Sequence, residues 1–117
     1  MTDELEALRA RALAYPEAVE EFPWGERVIK VRGKIFVFLN RGDSGTAVTA
    51  KLRASHGEAM MMPFVKPTGY NLGRAGWVTA RFEPGEPLPV GLLLAWMDES
   101  YRLVAPKTLV KQLATPE

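Results

Sequence analysis

Few side chains in this sequence are equipped for chemistry, and their spacing suits it poorly. His56 is the only histidine, and there is no cysteine. One imidazole cannot build the two-histidine–carboxylate set of common catalytic metal centres, and the lack of thiols excludes disulfide frameworks, thiolate metal sites and cysteine nucleophiles. Beside Ser55 and Glu58, at the start of a short helical segment, His56 reads as a surface or capping residue. A Ser–His–acid relay would have to recruit Ser44, Ser55 or Ser100, and none of them stands in a nucleophile-elbow context. Glu20, Glu21 and Glu26, like Asp98 and Glu99, offer paired carboxylates, but such acids usually belong to solvated faces or ion pairs. No catalytic, metal-ligating or cofactor-binding residue is assigned, and the expectation is a non-enzymatic protein without a cofactor.

Charge is more informative than chemistry. The net charge of +1 hides a strong internal contrast. Residues 1–26 hold seven acids and two bases, residues 27–81 ten bases and two acids, and residues 82–117 five acids and three bases. The centre of the chain is basic and both ends are acidic. In the centre, cations alternate with apolar residues at strand spacing. Lys30 and Arg32 fall on one face with Val28, Lys51 and Arg53 on one face with Ala47 and Thr49, and Arg81 on one face with Trp77 and Thr79. If a helical layer covers the other side, these cations meet around an indole, an arrangement suited to phosphates with base stacking. The alternative is a solvated sheet face whose cations pair with the acids of residues 1–26.

The segment Gly69-Tyr70-Asn71-Leu72-Gly73-Arg74-Ala75-Gly76 adds a glycine-rich loop with one arginine. Glycines let backbone N–H groups approach an anion, and Arg74 is suited to holding a phosphate. The loop fits neither the Walker A pattern nor the dinucleotide fingerprint, so a plain turn is the competing reading. Trp24 and Trp96 read as core anchors, and Met60-Met61-Met62 as core filler or an adaptable contact surface.

These side chains need a scaffold. Asp3 can cap a helix on which Leu5, Leu8, Ala12 and Tyr15 share one face, with Glu6 completing a capping box. Pro16 ends that helix or starts a short second turn through Glu17–Glu20. Three strand-like runs follow, at 28–32, 35–39 and 46–52, with a tight turn at Gly33. A short helix at 56–62, strands near 64–66 and 77–82, and a final helix from Pro89 or Val90 complete the order. On that helix Leu93, Trp96, Met97, Ser100, Tyr101 and Val104 share a face. Helix, three strands, helix, two strands, helix is the pattern of an α+β two-layer sandwich with a five-stranded, mostly antiparallel sheet. The 117 residues suit one domain spanning 1–117.

Several segments, in order, resemble the MmcQ/YjbR family. They are Phe22-Pro23-Trp24-Gly25-Glu26, Lys30-Val31-Arg32-Gly33-Lys34-Ile35-Phe36, Gly73-Arg74-Ala75-Gly76-Trp77 and Ser100-Tyr101-Arg102-Leu103-Val104-Ala105-Pro106-Lys107. The resemblance implies the same element order, in a fold compared with secretion chaperones and frataxin-like proteins. It carries a DNA-binding label and no catalytic residue. Some family members have a histidine-rich stretch before the tryptophan, which is absent here.

The expectation is therefore a small cytoplasmic, non-enzymatic protein. It would bind nucleic acid through Lys30, Arg32, Lys51, Arg53, Arg74 and Arg81, with Trp77 stacking. The alternative is a protein-interaction or chaperone-like module. No membrane association is expected, because the longest apolar run is too short to span a bilayer and the N-terminus is acidic without an apolar core. The chain is expected as a monomer or homodimer.

Overall fold

In the computed structural model, residues 3–69 and 72–113 are described, with the side chain of Trp24 excepted. The chain begins with α1 (Glu4–Leu13), whose N-cap Asp3 accepts a hydrogen bond from the Leu5 N–H at 3.0 Å. Four strands follow: β1 (Ala18–Glu21), β2 (Val28–Val31), β3 (Lys34–Gly42) and β4 (Gly45–Lys51). Then come α2 (His56–Met60), β5 (Val65–Pro67), β6 (Trp77–Phe82), α3 (Val90–Val104) and α4 (Lys107–Val110). Short 3-10 turns occupy Pro23–Gly25 and Leu72–Ala75.

The sheet has six strands in the order β1-β2-β3-β4-β6-β5, with every pairing antiparallel. One strand exceeds the sequence expectation. Glu17–Glu20 does not form a helical turn; Ala18–Glu21 pairs with β2 as the outer edge strand. Its two acids and lone β-branched residue carry little strand propensity, so the pairing itself supplies the structure.

Helices α1 and α3 cover one face of the sheet, and α2 packs against β5 and β6. Leu5, Leu8 and Ala12 of α1 meet Leu93, Trp96, Met97 and Tyr101 of α3 over Ile29, Val31, Val37, Leu39, Val48 and Ala80. Trp96 is a core residue at 2% exposure, as its spacing on the apolar face requires. No helix of the described residues is long and apolar enough to cross a membrane.

Two local irregularities set which side chains reach the uncovered face. The β2–β3 hairpin turns on Arg32 and Gly33, both at positive φ, +50° and +81°. Such a two-residue turn matches the right-handed twist of its strands, and glycine takes the second position without strain. Next to it β3 carries a bulge: Ile29 pairs with Val37 and Lys30 with Ile35, leaving Phe36 unopposed. The extra residue turns Phe36 into the helical layer, edge-on to Tyr15 and Tyr101 at 5.8 and 5.1 Å. Ile35 and Phe38 are left on the other side, in register with Lys30 and Val28.

Candidate nucleic-acid interface on the uncovered sheet face

Register places part of the sequence-derived set together. Lys51 pairs with Trp77, Thr49 with Thr79 and Ala47 with Arg81, so these residues share a face. Lys30 joins them from β2, because it alternates with the core residues Ile29 and Val31. The result is a floor where Phe38 meets Trp77 edge-on, with ring centroids 5.9 Å apart at 79°. Thr49 and Thr79 share a hydrogen bond at 2.9 Å, and Thr79 and Thr68 another at 3.0 Å, so the middle of the face is a hydroxyl ladder.

At the end of the sheet where β3 begins and β4 ends lies a groove of about 980 Å³. Its apolar lining comes from Ile35, Phe38, Leu72, Trp77, Leu103 and Val104, and its cations are Lys30, Lys34 and Lys51. Glu26 is the one acid of the lining. A second, more polar basin of about 420 Å³ adjoins it, sharing Glu26, Phe38 and Leu72 and reaching Arg41, Thr79 and Arg81. Lys34, which the sequence reading passes over as a site residue, thus lines the groove with Lys51 and Trp77, whereas Arg32, Arg53 and Arg74 do not. Its position at the first residue of β3, directly after the hairpin turn, is the signal that identifies it.

Three of the expected cations lie elsewhere. Arg32 is in the hairpin turn, not on the strand face, and its guanidinium forms a bidentate pair with Glu17 at 2.6 and 2.8 Å. Arg53 follows the end of β4; its N–H, the Ser55 N–H and the Ser55 hydroxyl all donate to Glu99, which turns the chain away from the sheet. Arg74 sits exposed on the Leu72–Ala75 turn, outside the groove lining. In that loop the Leu72, Gly73 and Gly76 N–H groups donate to the Gly69, Thr68 and Gly73 carbonyls. The glycines serve a turn. Tyr70 and Asn71 of this loop, and the Trp24 side chain, lie outside the described residues.

Trp77 differs from the expectation in exposure rather than placement. Only 9% of it is open to solvent. It is a wall of the groove, and its flat face is not free for stacking.

Charge pairing follows strand order. β1 brings acids alongside β2: Glu21 lies 3.1 Å from the Lys30 ammonium, and Glu20 takes Arg9 at 2.6 Å and Arg27 at 3.3 Å. Asp3 takes Arg41 at 2.8 Å. The pairing holds the carboxyls of Glu17 and Glu20 below their usual range, chiefly through the bonds to Arg32 and Arg9. β4 and β6 lie three and four strands from β1, roughly 14 Å or more at ordinary strand spacing, beyond the reach of those acids. Among the described residues Lys34, Lys51 and Arg81 have no carboxylate within ion-pair distance.

Several of the groups considered for catalysis are occupied structurally. Asp98 accepts from the Tyr15 hydroxyl at 2.8 Å and from Arg102 at 2.7 Å. Glu99 closes the turn at Arg53–Ser55, and Ser100 joins α3 to the sheet. No cluster of three potential metal ligands occurs among the described residues.

No curated protein matches the chain. Among solved structures it is similar to protein DR2400 of Deinococcus radiodurans, described with a DUF419 domain. The two share 24% identity over 99% of this chain and 94% of that one, with a TM-score of 0.71, a likeness of fold. The YjbR family model matches residues 13–103, from the end of α1 through the last turn of α3, which includes every strand and the whole groove floor; the chain belongs to the YjbR family.

Proposed function

We propose that this protein is a cytoplasmic, non-enzymatic binding protein that takes single-stranded nucleic acid on its uncovered sheet face. One observation carries the reading: the unpaired cations Lys51 and Arg81 share one sheet face, and Lys34, opposite Val31 at the end of the sheet, lines the apolar groove that Lys51 also lines. Phosphates are held by such cations, and the groove suits the less polar parts of a strand. A duplex would need a convex element or a long basic stripe, whereas these charges flank a trough.

About three phosphate contacts give a log–log salt slope near −2 for a single strand. Fluorescence polarisation across a salt series tests this directly. A Lys51→Ala/Arg81→Ala double variant should bind more weakly and lose about 1.4 from the slope. No binding at low salt, or an unchanged slope in the double variant, overturns the reading.

A second reading rests on a different edge. β1 is an outer strand, and Val19 and Phe22 beside it are 49% and 57% exposed. An unpaired strand edge with apolar side chains suits addition of a partner strand. Sedimentation velocity on the chain and on a Val19→Lys variant tests it: a dimer that dissociates in the variant supports edge pairing, and a monomer throughout removes self-association.

A further inference from the structure

Phosphate contacts alone need cations, not an apolar trough. The groove is lined by Leu72 of the turn before β6, Leu103 and Val104 of α3, and Ile35 and Phe38 of β3. Its volume, about 980 Å³, falls in the range of pockets that enclose small organic groups. Lys34 and Lys51 in its lining favour an anion beside that apolar body, while Glu26 repels phosphate from its own part of the lining. A nucleotide has this shape of chemistry: a flat base with apolar faces, joined to phosphates on either side.

Stacking on Trp77 is not how the base would be held. The indole is 9% exposed and Phe38 meets it edge-on, so the two rings offer no open parallel platform. The aliphatic walls remain.

Resting on the reading of this face as a nucleic-acid surface, we infer that the groove is a base pocket. It takes one unstacked base of a single strand between Leu72 and Leu103–Val104, with Lys34 and Lys51 on the flanking phosphates. Single strands are commonly bound with their bases splayed out into the protein while a positively charged groove tracks the backbone; here aliphatic walls replace the usual aromatic platform.

The test compares labelled oligo-dT of about twelve nucleotides with a fully abasic strand of the same length, by fluorescence polarisation at low salt. Both strands carry the same phosphates, so the difference reports the base alone. The unmodified chain should bind oligo-dT about five- to tenfold more tightly than the abasic strand, the low end of what one held base contributes. In Leu103→Trp the larger side chain intrudes on the part of the groove where the base would lie. Leu103 is only partly buried, so the core is spared, and thermal unfolding checks that the variant folds. The variant should bind the two strands equally. Equal, salt-dependent binding of both strands by the unmodified chain overturns the base pocket and leaves the proposed function standing. A preference for oligo-dT that persists in folded Leu103→Trp also overturns it, since bases are then read elsewhere. Binding of neither strand removes the proposed function and the pocket together.

Discussion

Removing the Ser100 hydroxyl should destabilise this protein far more than its size suggests. The β3–β4 ladder runs from Gly42–Gly45 to Val37–Ala50. Continued by one residue it would pair Phe36 with Lys51, but the two strands have parted there. Ser100, fully buried on α3, fills the gap: its hydroxyl accepts from the Lys51 N–H at 2.9 Å and donates to the Phe36 carbonyl. One side chain thus satisfies two backbone groups and ties α3 to both central strands. In Ser100→Ala each group is left without its partner, at about 1–2 kcal/mol apiece, the lower part of the usual range, so a loss of about 2–4 kcal/mol is expected. With an ordinary m-value the urea midpoint should fall by about 1.5 M, and the melting temperature by roughly 10 °C. Ser55→Ala is the comparison, because its hydroxyl lies nearer the surface and donates to Glu99 at 2.7 Å; a loss of about 1 kcal/mol is expected there. A Ser100→Ala loss below about 0.5 kcal/mol would refute the reasoning. It would mean that the strands close and Lys51 bonds Phe36 directly, with the serine dispensable.

Further outcomes follow from the same geometry. Gly76 has φ +96°, and a Cβ there would stand 2.4 Å from the Leu52 carbonyl oxygen; Leu52 N–H in turn donates to the Gly76 carbonyl at 2.9 Å. Gly76→Ala should therefore cost about 3 kcal/mol or more in urea unfolding, whereas Gly33→Ala, with open space around it, should cost only about 1–2 kcal/mol for its left-handed backbone. Arg32→Ala should leave oligonucleotide affinity within about twofold and the urea midpoint nearly unchanged, because its pair with Glu17 is exposed and already neutralises it; an affinity loss as large as that of Lys51→Ala would contradict the placement. Acid unfolding should begin as pH falls below about 4.5. The Arg41 guanidinium holds the Asp3 carboxyl down at about 2, and Glu99, though burial pushes it up, is brought below its usual value by the Arg53 and Ser55 donors. Carboxyls lowered by folding stabilise above their unfolded pKa and lose that contribution as pH falls through the folded one, so Asp3→Asn should lower stability slightly near neutrality, the pair being exposed, and flatten the decline on acidification. At the other limit, burial and the bond to Asp98 push the Tyr15 phenol up, so its contribution is intact below about pH 10 and lost above it; Tyr15→Phe should reduce that alkaline decline in pH-dependent melting.

Much of the fold is legible in the sequence because its long elements are strongly patterned. The apolar stripe of α3 and the capped α1 follow helical spacing, β4 and β6 follow strand alternation, and β3 shows as an apolar run bounded by turn residues. What escapes is held by tertiary pairing rather than local preference. β1 has two glutamates in four residues, and only its bonds to β2 make it a strand. The bulge at Phe36 is equally silent, since Ile35–Leu39 is apolar at every position and gives no hint of which residue is extra.

Those two silent features decide the site. The alternation of charges identifies Lys51, Trp77 and Arg81 as neighbours because β4 and β6 pair without a register shift. It misplaces Arg32 and Arg53 because alternation is counted past the point where each strand ends. The missed strand matters more. By lying against β2, β1 delivers its glutamates to Lys30 and Arg27, and Glu17 just before it takes Arg32. The acidic start of the chain therefore neutralises one half of the basic centre and, being three strands away, leaves β4 and β6 untouched. The two readings of the charge contrast, internal balance and ligand surface, each describe a different part of one sheet. This predicts an asymmetry that charge counting does not. Glu21→Gln, by freeing Lys30, should strengthen oligonucleotide binding and steepen its salt slope by up to about 0.7, while removing Asp43 or Glu58, which belong to no ion pair on this face, should change neither. Equal effects from all three would mean that only overall charge matters, and the strand-by-strand account of the surface would fall.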